Sequence, residues 1–187
     1  SQQTFEQFAK VGEAGVTIMV QDAPLSGVDL PVPLLIKMAK EIETVKCFKI
    51  ECAQAASKLR KLVVEGGDVI EGPFDGEEGI TLFADLEAGA TGNMSSAMIP
   101  DLIKPVVLDY LAGEFDKSED KYNNILPVIN YENRQCGFRA TKVIMKEGGV
   151  INSDFCRHPI PPLEEQTKAG LINLIKKYDP IALSWGK

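Results

Sequence analysis

The chain has 187 residues, is 44% hydrophobic and 25% charged, and carries a formal net charge of -7. These are ordinary globular values, and one domain is the natural count at this length. The acidity argues against a nucleic-acid partner, and no apolar run approaches the length of a membrane span.

The four cysteines, Cys47, Cys52, Cys136 and Cys156, have neither zinc-type spacing nor a dense disulfide pattern. Free thiols in a reducing cytoplasm are expected. The chain opens Ser1-Gln2-Gln3-Thr4 with no initiator Met, so residues ahead of Ser1 are expected and a leader among them stays open.

Thr4 to Ala14 reads as a helix with Thr4 as N-cap and Gly15 as its end. Val16 to Gln21 reads as a buried strand, stopped by Asp22-Ala23-Pro24. Ser26-Gly27 reads as a loop. A helix follows from Pro31 to Glu43, with Asp29 near its cap and Leu34, Leu35, Met38, Ala39 and Ile42 on its apolar stripe.

Val45 to Glu51 is short and rich in β-branched and aromatic residues, which reads as a strand. Alternation places Val45, Cys47, Lys49 and Glu51 on one face and Lys46, Phe48 and Ile50 on the other. The first face ends in an ammonium followed by a carboxylate. Two opposite charges closing an apolar face are costly unless paired, and they often mark a site. A solvated strand end is the alternative.

Ala53 to Glu65 reads as the next helix, ended by Gly66-Gly67. Asp68 to Glu71 reads as a third strand and Gly72-Pro73-Phe74-Asp75-Gly76 as a loop. Ile80 to Ala88 reads as a helix closed by Gly89, and Ala90 to Ser95 as a fourth, Gly-containing strand. Pro100 to Leu111 reads as a helix that Pro105 should bend. After Gly113 the pattern is helical: Ser118 to Tyr131, Phe138 to Lys146 and Leu163 to Tyr178. His158, the single His, sits in a Pro-rich linker and reads as a surface or capping residue. Trp185 reads as packing.

Strands alternating with helices imply an α/β fold with a parallel sheet and right-handed crossovers. Gln21, Asp22, Lys49, Glu51, Gly72, Asp75 and Asn93 all fall where strands end. In parallel α/β folds the ligand lies at the carboxyl ends of strands. That agreement favours a functional role for Lys49 and Glu51.

In order and spacing, these segments resemble the dihydrodipicolinate synthase / N-acetylneuraminate lyase family. The resemblance rests on Ile18 to Pro24, the Lys strand Cys47 to Glu51, the Gly-Pro-Phe-Asp-Gly loop, Gly89 to Ser95 followed by Pro100, and the helical tail. It implies the C-terminal half (strands five to eight) of a (β/α)8 TIM barrel plus a C-terminal helical appendage. Residues 1–113 would be the half-barrel and residues 114–187 its helical extension. Strands one to four are absent from this sequence, which is therefore expected to be a fragment.

The resemblance puts Lys49 where the family forms a Schiff base with a 2-keto acid. The family's common Tyr-Asn-x-Pro is Gln21-Asp22-Ala23-Pro24 here, so the proton-relay Tyr is missing. Gln21 with Lys49-Ile50-Glu51 resembles the subgroup of L-2-keto-3-deoxyarabonate dehydratases. Catalytic roles for Lys49, Glu51 and Gln21 follow, with Gly72 and Asn93 at the substrate. The resemblance also implies a small-molecule 2-keto acid substrate and a homotetramer when full length, with no membrane or nucleic-acid partner.

The chemistry is self-consistent. An amine on a 2-keto group makes an imine, an electron sink that lets C3 lose a proton. The enamine then expels the C4 hydroxyl if an acid protonates it. Glu51 lies two residues from Lys49, so their Cα atoms are roughly 6.6 Å apart, which suits a proton shuttle. Gln21 cannot titrate and could orient a hydroxyl or a water. No metal or organic cofactor is required. The rivals are a retro-aldolase or a six-carbon acid dehydratase of the same family, and a non-catalytic half-barrel in which Lys49 and Glu51 are a structural ion pair.

Overall fold

The computed structural model describes residues 2–24 and 27–187. The loop expected at Ser26-Gly27 lies partly outside the described residues. Contacts divide the chain into two compact units, Ser1–Met94 and Ser95–Lys187. The first is an α/β layer and the second is helical.

In the first unit, strands β1 (Ile18–Asp22), β2 (Val45–Ile50), β3 (Pro73–Asp75) and β4 (Gly92–Asn93) form a parallel sheet in the order β1-β2-β3-β4. Helices α1 (Gln2–Gly12), α2 (Val32–Glu41), α3 (Ala55–Gly66) and α4 (Leu82–Glu87) alternate with them. Thr4 falls inside α1 and does not cap it. Pro31 directly precedes α2 in an extended conformation, and a second proline, Pro33, fits in the first turn, where a missing N–H costs nothing.

The apolar core lies between the sheet and the helices. Val20, Val45, Phe48 and Ile50 from the strands meet Leu34, Leu35 and Met38 of α2 and Leu59 and Leu62 of α3. Val45 departs from the alternation expected of it. Ile18 pairs with Val45 but Met19 pairs with Cys47, so the register slips by one residue at Lys46. An irregularity of this kind shifts the phase of a strand. Val45 therefore joins Phe48 and Ile50 in the core, while Cys47, Lys49 and Glu51 remain partly exposed.

The third strand is not at Asp68–Glu71. Gly67–Val69 is a 3-10 turn, and the paired residues are Pro73–Asp75, within the segment read as a loop. Glu71 N–H does donate to Lys46 O at 3.1 Å, so the chain is already laid along β2 there. Pro73 is tolerated because it is the first residue of this three-residue strand, where a missing N–H costs the ladder least.

Asp22 continues β1 instead of stopping it, and it is fully buried. Its carboxylate accepts from Leu30 N at 3.1 Å and faces Lys58 Nζ at 2.5 Å, and Lys58 also reaches Asp29 at 2.6 Å. Burial works against the Lys58 charge, but the hydrogen bonds it donates to Asp22 and Asp29 outweigh it and hold the ammonium above its ordinary pKa. Removing the cation would strand a buried carboxylate. Lys58→Met is expected to lower stability by about 3–5 kcal/mol, measured as a shift of the urea midpoint at pH 7. An unchanged midpoint would show that the ion pair contributes nothing.

The second unit holds α5 (Pro100–Leu111), α6 (Phe115–Tyr131), α7 (Arg139–Glu147) and α8 (Glu165–Ile175). Pro105 lies inside α5. A π-turn over Glu132–Cys136 follows α6. The Ser118 hydroxyl donates to Val106 O at 2.8 Å, tying α6 to α5. Asp154 binds Lys146 and Lys168 at 2.7 and 2.5 Å, and these bonds hold its carboxyl well below the ordinary carboxylate range. His158 is exposed, as expected of a surface residue. Trp185 is 69% exposed, so it does not pack into a core among the described residues. All four cysteines are free, and burial pushes Cys136 up to about 11. Among the described residues, no helix is long and apolar enough to cross a membrane.

Candidate functional site

One cross-strand row runs Gln21, Lys49, Phe74, Gly92, with each Cα paired to the next. The following row is Asp22, Ile50, Asp75, Asn93. Side chains of paired residues in a parallel sheet share a face. The second row points with Ile50 toward the helices, and the first row points to the opposite face.

Glu51 follows β2 directly. Its N–H donates to Asp22 O at 2.9 Å, so the ladder extends to it and fixes its position. Its Oε2 takes two donors: Lys49 Nζ at 2.9 Å and Gln21 Nε2 at 2.5 Å. The Lys49 and Glu51 side chains are 16% and 20% exposed. They are shielded enough for strong electrostatics and still reachable from outside. An amine, a carboxylate and a neutral amide therefore converge at the carboxyl ends of two adjacent strands.

Glycines make room for this group. A Cβ on Gly76 would lie 2.9 Å from Lys49 Cγ, from Glu51 Cβ and from Ile50 O. The loop after β3 thus lies directly on both charged side chains, and only Gly allows that approach. A Cβ on Gly92 would come within 2.3 Å of the Phe74 ring, and one on Gly72 within 2.9 Å. Phe74 lies between these two glycines beside Lys49, as an apolar wall.

The expected residues separate into two sets. Gln21, Lys49 and Glu51 come together. Gly72 borders the same face, 3.6 Å from Cys47 Sγ by its Cβ direction. Asn93 is not brought to them: it stands in the helix-facing row, and its side-chain amide donates to Asp75 Oδ2. The sequence reading missed Phe74 and Gly76. Their signal is the Gly-Pro-Phe-Asp-Gly string itself, which reads as a loop but folds as a strand with glycines clearing space at both ends.

Asp75 and Asp85 lie behind the sheet, both fully buried. Burial drives Asp75 up to about 7, and the neighbouring Asp85 carboxyl adds to the shift. Burial raises Asp85 as well, against the hydrogen bonds from Thr81 and Asp75.

The chain is 50% identical over 184 residues to an L-2-keto-3-deoxyarabonate dehydratase of Azospirillum brasilense, covering 98% of this chain and 60% of that protein. A putative dihydrodipicolinate synthetase from Pseudomonas aeruginosa superposes with a TM-score of 0.85 at 24% identity, over 94% of this chain and 61% of that one. The dihydrodipicolinate synthase of Aquifex aeolicus gives 0.85 at 20% identity, over 95% and 61%. At such identities the structures establish the shared fold alone. The chain spans about three fifths of the length of these relatives. The model of the dihydrodipicolinate synthetase family matches residues 1–178, nearly the whole chain, and the chain belongs to that family.

Proposed function

We propose that the protein carrying this chain is a hydro-lyase that dehydrates a 2-keto-3-deoxy sugar acid, with L-2-keto-3-deoxyarabonate as substrate and 2-oxoglutarate semialdehyde as product. The observation that carries the reading is the convergence of Lys49 and Gln21 on one oxygen of Glu51. The 50% identity to the Azospirillum dehydratase supports it.

In this reading Lys49 Nζ attacks the C2 carbonyl and water leaves as the imine forms. Glu51 takes a proton from C3 and returns it to the C4 hydroxyl, which departs as water. The C3–C4 unsaturation isomerises to the C5 aldehyde, and a second water hydrolyses the imine and frees Lys49. Gln21 holds the Glu51 carboxylate, and hence the proton path, in place. Phe74 supplies the apolar wall beside the imine, and Gly72 borders the substrate. Asn93 would act on the site only through Asp75. The sequential parallel order of β1 to β4 supports their being strands five to eight of a (β/α)8 barrel, with residues 1–113 the barrel half and 114–187 its helical extension. A soluble cytoplasmic homotetramer belongs to the same proposal.

The test is incubation of the full-length polypeptide with L-2-keto-3-deoxyarabonate. 2-Oxoglutarate semialdehyde as main product is expected. Pyruvate instead would mean C3–C4 cleavage and a retro-aldolase. No product from five- or six-carbon acids, and no borohydride-trapped adduct, would leave Lys49 and Glu51 as a structural pair.

A further inference from the structure

Asp75 is tied to the active face through its own loop. Its Oδ1 accepts from Glu77 N at 3.0 Å, its backbone O accepts from Met94 N at 2.8 Å, and the next residue, Gly76, donates to Ile50 O at 2.9 Å. Gly76 is the residue packed on the Lys49 and Glu51 side chains. Behind it, Asp85 Oδ2 takes the Thr81 hydroxyl at 2.7 Å. Asp85 Oδ1 is buried and has no donor unless the Asp75 carboxyl carries a proton. The cations nearby are used elsewhere: Lys49 binds Glu51, and Lys58 of α3 binds Asp22 and Asp29. Among the described residues, no group of three His, Cys, Asp or Glu could hold a metal ion. A proton is the cation that fits between two buried carboxyls.

We propose that Asp75 and Asp85 share one proton, Asp75 donating to Asp85, and that the pair positions the 76–79 loop against Lys49 and Glu51. The positioning part rests on the Schiff-base reading of Lys49. The groups that set the titration are Asp85 on α4, Glu77 in the loop and Asn93 on β4, with Asp85 and Glu77 acidic and Asn93 favouring the ionised form. The folded Asp75 keeps its proton up to about pH 7, whereas an opened segment ionises it near 3.8. Opening therefore releases a proton. Rising pH favours opening between these values, by about tenfold per pH unit, and the effect levels off above pH 7.

Hydrogen–deuterium exchange of the peptide covering residues 73–80, corrected for intrinsic rates, reads this directly in the full-length protein. Protection should fall about fiftyfold from pH 5 to pH 7. Asp75→Asn mimics the protonated acid and should make protection independent of pH over that range. Asp85→Asn removes the neighbouring charge and should move the fall to lower pH. A flat profile in the wild type, or an unaltered fall in Asp75→Asn, would overturn the shared proton. Borohydride trapping of pyruvate on Lys49 is followed in parallel. Trapping that falls with protection in the wild type but stays level in Asp75→Asn supports positioning. Trapping that ignores the loop rejects positioning. The predicted exchange pattern with no trapping at any pH would leave the proton pair standing and remove the Schiff-base reading.

Discussion

Lys49→Arg is expected to abolish capture of pyruvate by borohydride, with loss of all turnover that passes through an imine. The substitution keeps a cation of similar reach. The guanidinium can still pair with Glu51, whose Oε2 lies 2.9 Å from the Lys49 nitrogen. The fold is therefore not at risk. What is lost is nucleophilicity, because a guanidinium stays protonated at neutral pH and offers no free lone pair. In the wild type, reduction should add the keto-acid mass to the peptide that contains Lys49. Lys46, on the same strand, is an internal control: it pairs with Glu71 at 3.5 Å and is about two-fifths exposed, so access alone would favour it. Adduct on Lys46, or adduct persisting in Lys49→Arg, would reject Lys49 as the imine lysine.

The part of this site legible in the sequence is the part that obeys a local period. Lys49 and Glu51 were placed on one face by strand alternation, and the register shows that Gln21 pairs with Lys49. Val45 does not follow the same rule. A one-residue slip depends on how β1 meets β2, which no local pattern in β2 encodes. The third strand was hidden by its punctuation: Gly72, Pro73 and Gly76 read as a turn. Pro73 begins the strand, Gly72 clears space for Phe74, and Gly76 admits the loop onto Lys49. In sequence, Asp75 stands out only as a strand-end acid and Asp85 looks like a helix-surface acid. Their burial is produced by the packing of α4 behind β3, a tertiary fact. Trp185 reads as packing in the sequence, yet it is 69% exposed among the described residues.

Glu51→Gln separates the proton shuttle from the nucleophile. It keeps the length and polarity of the side chain and removes only the titrating group. The amide that replaces the carboxylate can still accept from Lys49 through its carbonyl oxygen, and Gln21 can re-pair with it. The backbone bond from the N–H of residue 51 to Asp22 O is untouched. If Glu51 moves protons between C3 and the C4 oxygen, imine formation should survive while dehydration falls by about 10²–10⁴-fold, the usual contribution of a positioned general acid or base. If Glu51 only balances the charge of Lys49, its removal should weaken trapping and turnover together. The measurement is borohydride trapping beside steady-state dehydration for wild type and variant at the same pH. Retained trapping with lost turnover supports the shuttle. Parallel loss rejects it and returns the pair to an electrostatic role. Gln21→Ala sharpens the result, because Gln21 donates to the same Oε2. Its loss should lower turnover in the wild type and change little in the Glu51→Gln background, the non-additivity expected of two groups acting through one oxygen.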